Sequence, residues 1–175
     1  MTCSHIVECL RNKRIEPLAF ASSECSSDET AAEALKYDTD TYYRSLAKNE
    51  EQWWAVDFKR HVSIIGYQIN SGETGGFYSC LYNWTFYVSN DKITWKLIHG
   101  PVQNTSAEKT YHFEQIYDAR YVKISGFSQS STNIHHIRFY YVKFFGAISR
   151  SQRTCLITKR GLDFNLMKFI LLVYS

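Results

Sequence analysis

The chain has 175 residues, a formal net charge of +3 and 16% aromatic residues, among them 13 Tyr, 11 Phe and 4 Trp. That length suits one domain with appendages, and the aromatic content suits a pleated sheet. Arg150, Arg153, Lys159, Arg160 and Lys168 against Asp163 give the tail a surplus of four positive charges, which leaves residues 1–148 at −1 and excludes the basic footprint of a nucleic-acid binder.

In chain order, residues 1–15 place Ile6, Val7 and Leu10 at helical spacing, which predicts a short helix. The same stretch lacks the apolar run of a secretory signal, so a cytoplasmic location with reduced thiols is expected. Cys3, His5 and Cys9 lack regular zinc-ligand spacing and an evident fourth ligand, so buried or free thiols are expected there. Five cysteines without tight spacing do not form a disulfide framework by themselves. Ser26 and Glu29 stand at capping-box spacing before "TAAEALK", which predicts one or two helical turns. The run Asp38 to Thr41 reads as a loop. Its oxygen-bearing side chains, Asp38, Asp40 and Thr41, suit either a structural calcium or an Asx-type turn closed by side-chain bonds to the backbone.

From Trp53 the pattern turns to period two. Trp54, Val56 and Phe58 share one face of a strand, and Ile65, Tyr67 and Ile69 share one face of the next. The glycine-containing stretch 71–82 is too long for a simple hairpin turn. "NWTFYVSNDKITWKLI" then alternates, turns through Asn90 and Asp91, and alternates again, so Trp84 and Trp95 are both expected to point inward. "TYHFE", "ARYVKISGF" and "RFYYVKFFG" read as later strands. Seven or eight short strands without intervening helices predict an all-β antiparallel sandwich or barrel.

Catalytic signatures are missing: no G-x-S-x-G, H-E-x-x-H, phosphate-binding loop or G-x-G-x-x-G occurs. His135 and His136, as neighbours on a strand, would point to opposite faces. A non-catalytic protein is therefore expected. The sequons at Asn83 and Asn104 read as chance. "FNLMKFILLVYS" near the C-terminus is shorter than the roughly 20 residues that span a bilayer. The basic tail reads either as a surface anchor or as a packed or disordered end.

Five pieces in order carry a resemblance: "IEPLAFASS", "ALKYDTDTYY", "QWWAVDF", "NWTFYVSNDKITWKLI", and "ARYVKI" with the closing "KFFG". Together they resemble the coagulation factor 5/8 type C, or discoidin, family, over roughly residues 16–147. Their texture is similar to divergent intracellular members from unicellular eukaryotes. The resemblance implies a galactose-binding-like jelly roll between an N-terminal extension (1–15) and a C-terminal tail (148–175). It departs at Tyr42 and Tyr43, which stand where the family usually has a loop tryptophan.

The resemblance also implies that loops 38–51, 71–82 and 127–137 meet at one end of the sandwich. They bring Tyr42, Tyr43, Arg44, Phe77, Tyr78, Phe127, Asn133 and His135 as candidate ligand-binding residues. Aromatic rings offer apolar planes to a sugar face or a partner side chain, and arginine and asparagine fix orientation. The expected function is a module that binds a carbohydrate or other ligand. The alternative is an intracellular protein–protein interaction module. No cofactor is required beyond the calcium considered at Asp38, Asp40 and Thr41.

Overall fold

Eight strands and one short helix order the chain in the computed structural model, which describes residues 5–48, 50–72, 81–103, 107–128 and 136–149. Helix α1 (Ile6–Arg11) turns Ile6, Val7 and Leu10 into the core, as their spacing predicts. Strand β1 (Leu18–Ala21) follows, then a 3₁₀ turn at Ala31–Leu35. That turn starts after Thr30 without a side-chain cap, so the Ser26–Glu29 capping box expected from sequence is not what begins it. Ser26 instead accepts, through its carbonyl, a turn bond from the Glu29 amide at 3.3 Å.

The other strands are β2 (Tyr43–Arg44), β3 (Gln52–Asn70), β4 (Leu81–Ser89), β5 (Lys96–Gln103), β6 (Glu108–Ser128), β7 (Arg138–Phe139) and β8 (Tyr141–Ile148). β3 and β6 run antiparallel and belong to both layers of the sandwich. Their Gln52–Asp57 and Tyr121–Gly126 halves sit in the order β1–β3–β6–β4–β5. Beyond the register shift after Asp57, the rest of β3 pairs with β6 on one side and β8 on the other. Segments that the sequence pattern separates, such as "TYHFE" and "ARYVKISGF", are thus single long strands.

The bend between the two halves is held by one carboxylate. Asp57 takes a bidentate pair from Arg120, with Nε and Nη2 each 3.0 Å from a carboxylate oxygen. It also accepts the amide of Lys59 at 2.7 Å, where the backbone enters the left-handed region (φ 62°). Two charge-assisted contacts from β6 and one amide bond within β3 therefore fix both strands at the turn of the layer.

The core is aromatic. Trp54, Val56 and Phe58 of β3 and Trp84, Phe86 and Val88 of β4 all point inward, as their alternation predicts. Trp54 and Phe144 stack with centroids 6.3 Å apart, and Tyr67 stacks on Phe86 at 4.3 Å. Trp84 lies opposite Gly126. A methyl group there would run into the Asn83 carbonyl and the Trp84 backbone, so the strands approach this closely only because the residue is glycine.

Two expected faces are different. Ile65 is 41% exposed, because the register shift between Ile64 and Gly66 turns Ile64 inward in its place. Trp95 is only half-buried, while Ile93 is 84% and Leu97 47% exposed. The turn does not hand the alternation across to β5. Asp91 accepts the amides of Ile93 and Thr94 at 2.8 and 2.7 Å, which holds the chain outside the sheet until Lys96. β5 then packs Ile98 and Val102 against the core, and Lys123 lies 4.7 Å over the Trp95 ring.

Candidate ligand-binding site

One end of the sandwich gathers the chain segments that precede and follow its loops. The amide of Ser45 donates to the Ile137 carbonyl at 3.0 Å, and the Ile137 amide returns a bond to Ser45 Oγ at 3.0 Å. The Tyr140 amide donates to the Asn70 carbonyl at 2.8 Å. Gly72, just beyond, has φ 93°, and a Cβ on it would come within 2.6 Å of the Tyr140 ring. These contacts bring the 38–51 segment, the end of β3 and the approach to β7 side by side.

The short pair β2–β7 sits there, with Tyr43 opposite Phe139 and Arg44 opposite Arg138. Partners directly opposite across an antiparallel pair share a face. Tyr43 and Phe139 take the inner face, and both are fully buried. Arg44 and Arg138 take the outer face. The Tyr43 hydroxyl donates to the Ser23 carbonyl at 3.0 Å, and burial pushes it well above the ordinary phenol range. Tyr43 therefore belongs to the framework, which corrects its expected place among the ligand-binding residues.

The outer face carries the chemistry. The Arg138 guanidinium lies 4.1 Å from the centroid of Tyr42 and 4.7 Å from that of Tyr140. The two rings meet edge to face at 5.5 Å, and Arg138 Nη2 donates to the Tyr140 hydroxyl at 2.5 Å. Arg138 Nε is buried without a hydrogen-bond partner among the described residues. Among the described residues no carboxylate lies within ion-pair distance of this guanidinium.

Arg44 differs. Its Nε meets Glu29 Oε2 at 3.0 Å. Burial opposes the charge on Glu29, but hydrogen bonds from Tyr42 and Arg44 outweigh it, and the carboxyl stays below its ordinary value. The Tyr42 hydroxyl is raised in turn, first by that bond to Glu29. His136 stands beside both arginines. Burial, followed by the charges of Arg44 and Arg138, lowers its proton affinity.

Of the residues expected from sequence, the structure thus brings together Tyr42 and Arg44. Phe77, Tyr78, Asn133 and His135 lie outside the described residues, and so does the side chain of Phe127. Arg138, Tyr140 and Glu29 were not among the expected residues. A signal for the first two is present in "RFYY": Phe139 is the inward residue, which leaves its neighbours 138 and 140 on the opposite face beside a loop.

A family model for the F5/8 type C domain matches residues 19–139, more than half of the chain. The chain belongs to that family. No curated protein sequence matches this F5/8 type C chain. Among solved structures it is similar to chitosan-binding module 1 of a chitosanase/glucanase from Paenibacillus sp. IK-5, at 18% identity and a TM-score of 0.65, with 81% of this chain and 98% of that one covered. The family 32 carbohydrate-binding module of Clostridium perfringens NanJ, solved with galactose, gives 16% identity, a TM-score of 0.65 and the same two coverages. A second C. perfringens module, CpGH89CBM32-5 in complex with GalNAc-β-1,3-galactose, gives 17% and 0.62, with 74% and 95% covered. At these identities the likeness establishes the fold.

The loop considered for calcium in this F5/8 type C module is closed by its own bonds. Asp38 Oδ1 accepts from the Asp40 amide (3.2 Å), the Thr41 amide (3.1 Å) and the Thr41 hydroxyl (3.0 Å). The backbone bond from Thr41 leads in holding the Asp38 carboxyl below its ordinary value. These bonds form the Asx-type turn expected as the alternative to calcium. Among the described residues, no three His, Cys, Asp or Glu side chains gather as metal ligands.

Cys25 is a free thiol, whereas Cys9 is disulfide-bonded, against the expectation of thiols at the N-terminus. No described helix is long and apolar enough to cross a membrane.

Proposed function

We propose that the chain is a non-catalytic module that binds a carbohydrate on the outer face of β2–β7, with Tyr42, Arg138 and Tyr140 as its contacts. The observation that carries this reading is the Arg138 guanidinium, held between two tyrosine rings with a buried Nε that has no partner among the described residues. A buried donor without a partner costs free energy, so such a group is most at home where a ligand supplies the acceptor. Tyrosine rings supply apolar planes beside a small number of polar groups, the composition of a small-ligand site.

The similar Paenibacillus and Clostridium modules, described as chitosan-binding or solved with galactose and GalNAc-β-1,3-galactose, support sugar as the ligand class. The disulfide at Cys9 supports an oxidising compartment, where glycans are displayed. No cofactor takes part in this reading. Thermal unfolding in calcium and in chelator is expected to give one midpoint, since Asp38 and Thr41 already satisfy each other.

The test is a glycan array followed by titration calorimetry on the hits, with Tyr42→Ala and Arg138→Ala alongside the parent chain. Both variants should keep the parent melting temperature within a few degrees and lose binding to every hit. Full binding by both variants would place the site elsewhere. Capture of a protein partner that both variants still bind, with an empty glycan array, would favour a protein-interaction module.

A further inference from the structure

Arg44 and Arg138 stand directly opposite each other across β2–β7, an arrangement that repels when uncompensated. Glu29 compensates one of them. Its carboxylate is committed to Arg44 at 3.0 Å and to the Tyr42 hydroxyl. Arg138 keeps its charge, with two tyrosine faces and one tyrosine hydroxyl for company and no carboxylate among the described residues. His136 adds a further nitrogen base beside both arginines. The local sum over Arg44, Arg138 and Glu29 is one positive charge on a half-buried guanidinium, unanswered among the described residues.

A neutral sugar would meet that charge with hydroxyl oxygens only. A carboxylate meets it with two oxygens, whose spacing matches the guanidinium fork and whose charge answers it. From this we infer that the site prefers a carboxylate-bearing sugar, a uronic or sialic acid residue, over its neutral counterpart. The inference rests on the carbohydrate reading above and narrows it. In this arrangement the ring face of the sugar lies against Tyr42 or Tyr140, and its carboxylate takes the Arg138 donors. Arg44 stays with Glu29 and holds Tyr42 in place through it.

Matched pairs that differ at one carbon decide the matter: galacturonate against galactose, and glucuronate against glucose, with N-acetylneuraminate as a third acid. Calorimetry on the full chain near neutral pH and low salt should give one acid at least tenfold tighter than its neutral partner, about 1.4 kcal/mol. The preference should shrink as salt rises. Arg138→Met keeps an apolar stem between the tyrosines and removes the charge. It should bring the acid and its neutral partner to equal affinity, each weaker than in the parent chain.

Equal affinities in the parent chain would overturn the acid preference and leave the carbohydrate site standing. A tenfold preference that survives Arg138→Met would also overturn it, because the charge would then reside elsewhere. No binding of any acid or neutral sugar, at concentrations up to tens of millimolar, would overturn both the preference and the site.

Discussion

Two tyrosine clusters in this module are built from similar parts and end in opposite states. In the body of the sandwich, Trp84 Nε1 donates to the Tyr67 hydroxyl at 3.1 Å, and that hydroxyl lies 2.7 Å from His99 Nδ1. A neutral imidazole with a bare Nδ1 accepts the tyrosine proton, so the Trp–Tyr–His chain satisfies each of these atoms. Tyr67, Phe86, Tyr111 and Phe113 pack around it. At the loop end, Tyr42, Arg138 and Tyr140 also stack, yet among the described residues one donor is orphaned and one charge unanswered. The closed cluster is framework, and the open one is where the proposed site lies. Aromatic content alone does not separate them; polar bookkeeping does.

Several substitutions would break or sharpen that contrast. Trp84→Ala should have the largest effect, a loss of about 3–5 kcal/mol, the usual cost of truncating a buried large aromatic. A denaturant melt measures it. Tyr67→Phe should cost about 1–3 kcal/mol, because the buried Trp84 Nε1 and the partly buried His99 Nδ1 both lose their partner. If Tyr67→Phe proved neutral, the chain of three would not be a unit.

The pH dependence is smaller and has a fixed sign. Burial lowers the proton affinity of His99, so the unfolded chain takes up a proton that the folded chain resists. The contribution is fully present above the ordinary histidine value of about 6.5 and is lost as pH falls below it. His136, lowered likewise, acts in the same direction. The melting temperature should fall between pH 7.5 and 5, and fall less in His99→Asn, whose side-chain oxygen can still accept from Tyr67. An equal fall in both would remove His99 from the account.

Trp95→Ala should be the mildest, about 1 kcal/mol, since the ring is half-exposed and its specific partner is the Lys123 ammonium. A loss as large as that of Trp84→Ala would return Trp95 to the core.

Much of the fold was legible because alternation reports burial wherever a strand keeps its register. Trp54 to Phe58 and Trp84 to Val88 are such runs, and the spacing of Ile6, Val7 and Leu10 did the same for α1. Legibility failed where register slipped. Ile65 and Tyr67 have matching parity in sequence, but one extra residue at the Ile64–Gly66 irregularity puts them on different faces. Ile93, Trp95 and Leu97 alternate convincingly before the sheet has resumed, because the Asp91 turn reaches to Thr94.

The proposed site was less legible for a related reason. Tyr42 and Tyr43 look equivalent as loop aromatics, and only the β2–β7 pairing sends one inward and the other out. Arg138 and Tyr140 were hidden inside what reads as a strand, and Glu29 gains its meaning from Arg44, fifteen positions away.

The strand pair that joins the two layers has a consequence in time. β3 and β6 meet from Gln52↔Gly126 to Asn70↔Glu108, so β4 and β5 lie entirely inside the loop that their pairing must close. The β4–β5 hairpin can form from neighbours, but neither layer has its central pair until a distant segment arrives. Loop-closure entropy is therefore spent before most of the core is in place, which puts folding in the slow, millisecond-to-second class of β-sandwiches. Until then the inward faces of β3 and β4 stand uncovered, and the unfinished chain is most exposed to pairing with a neighbour.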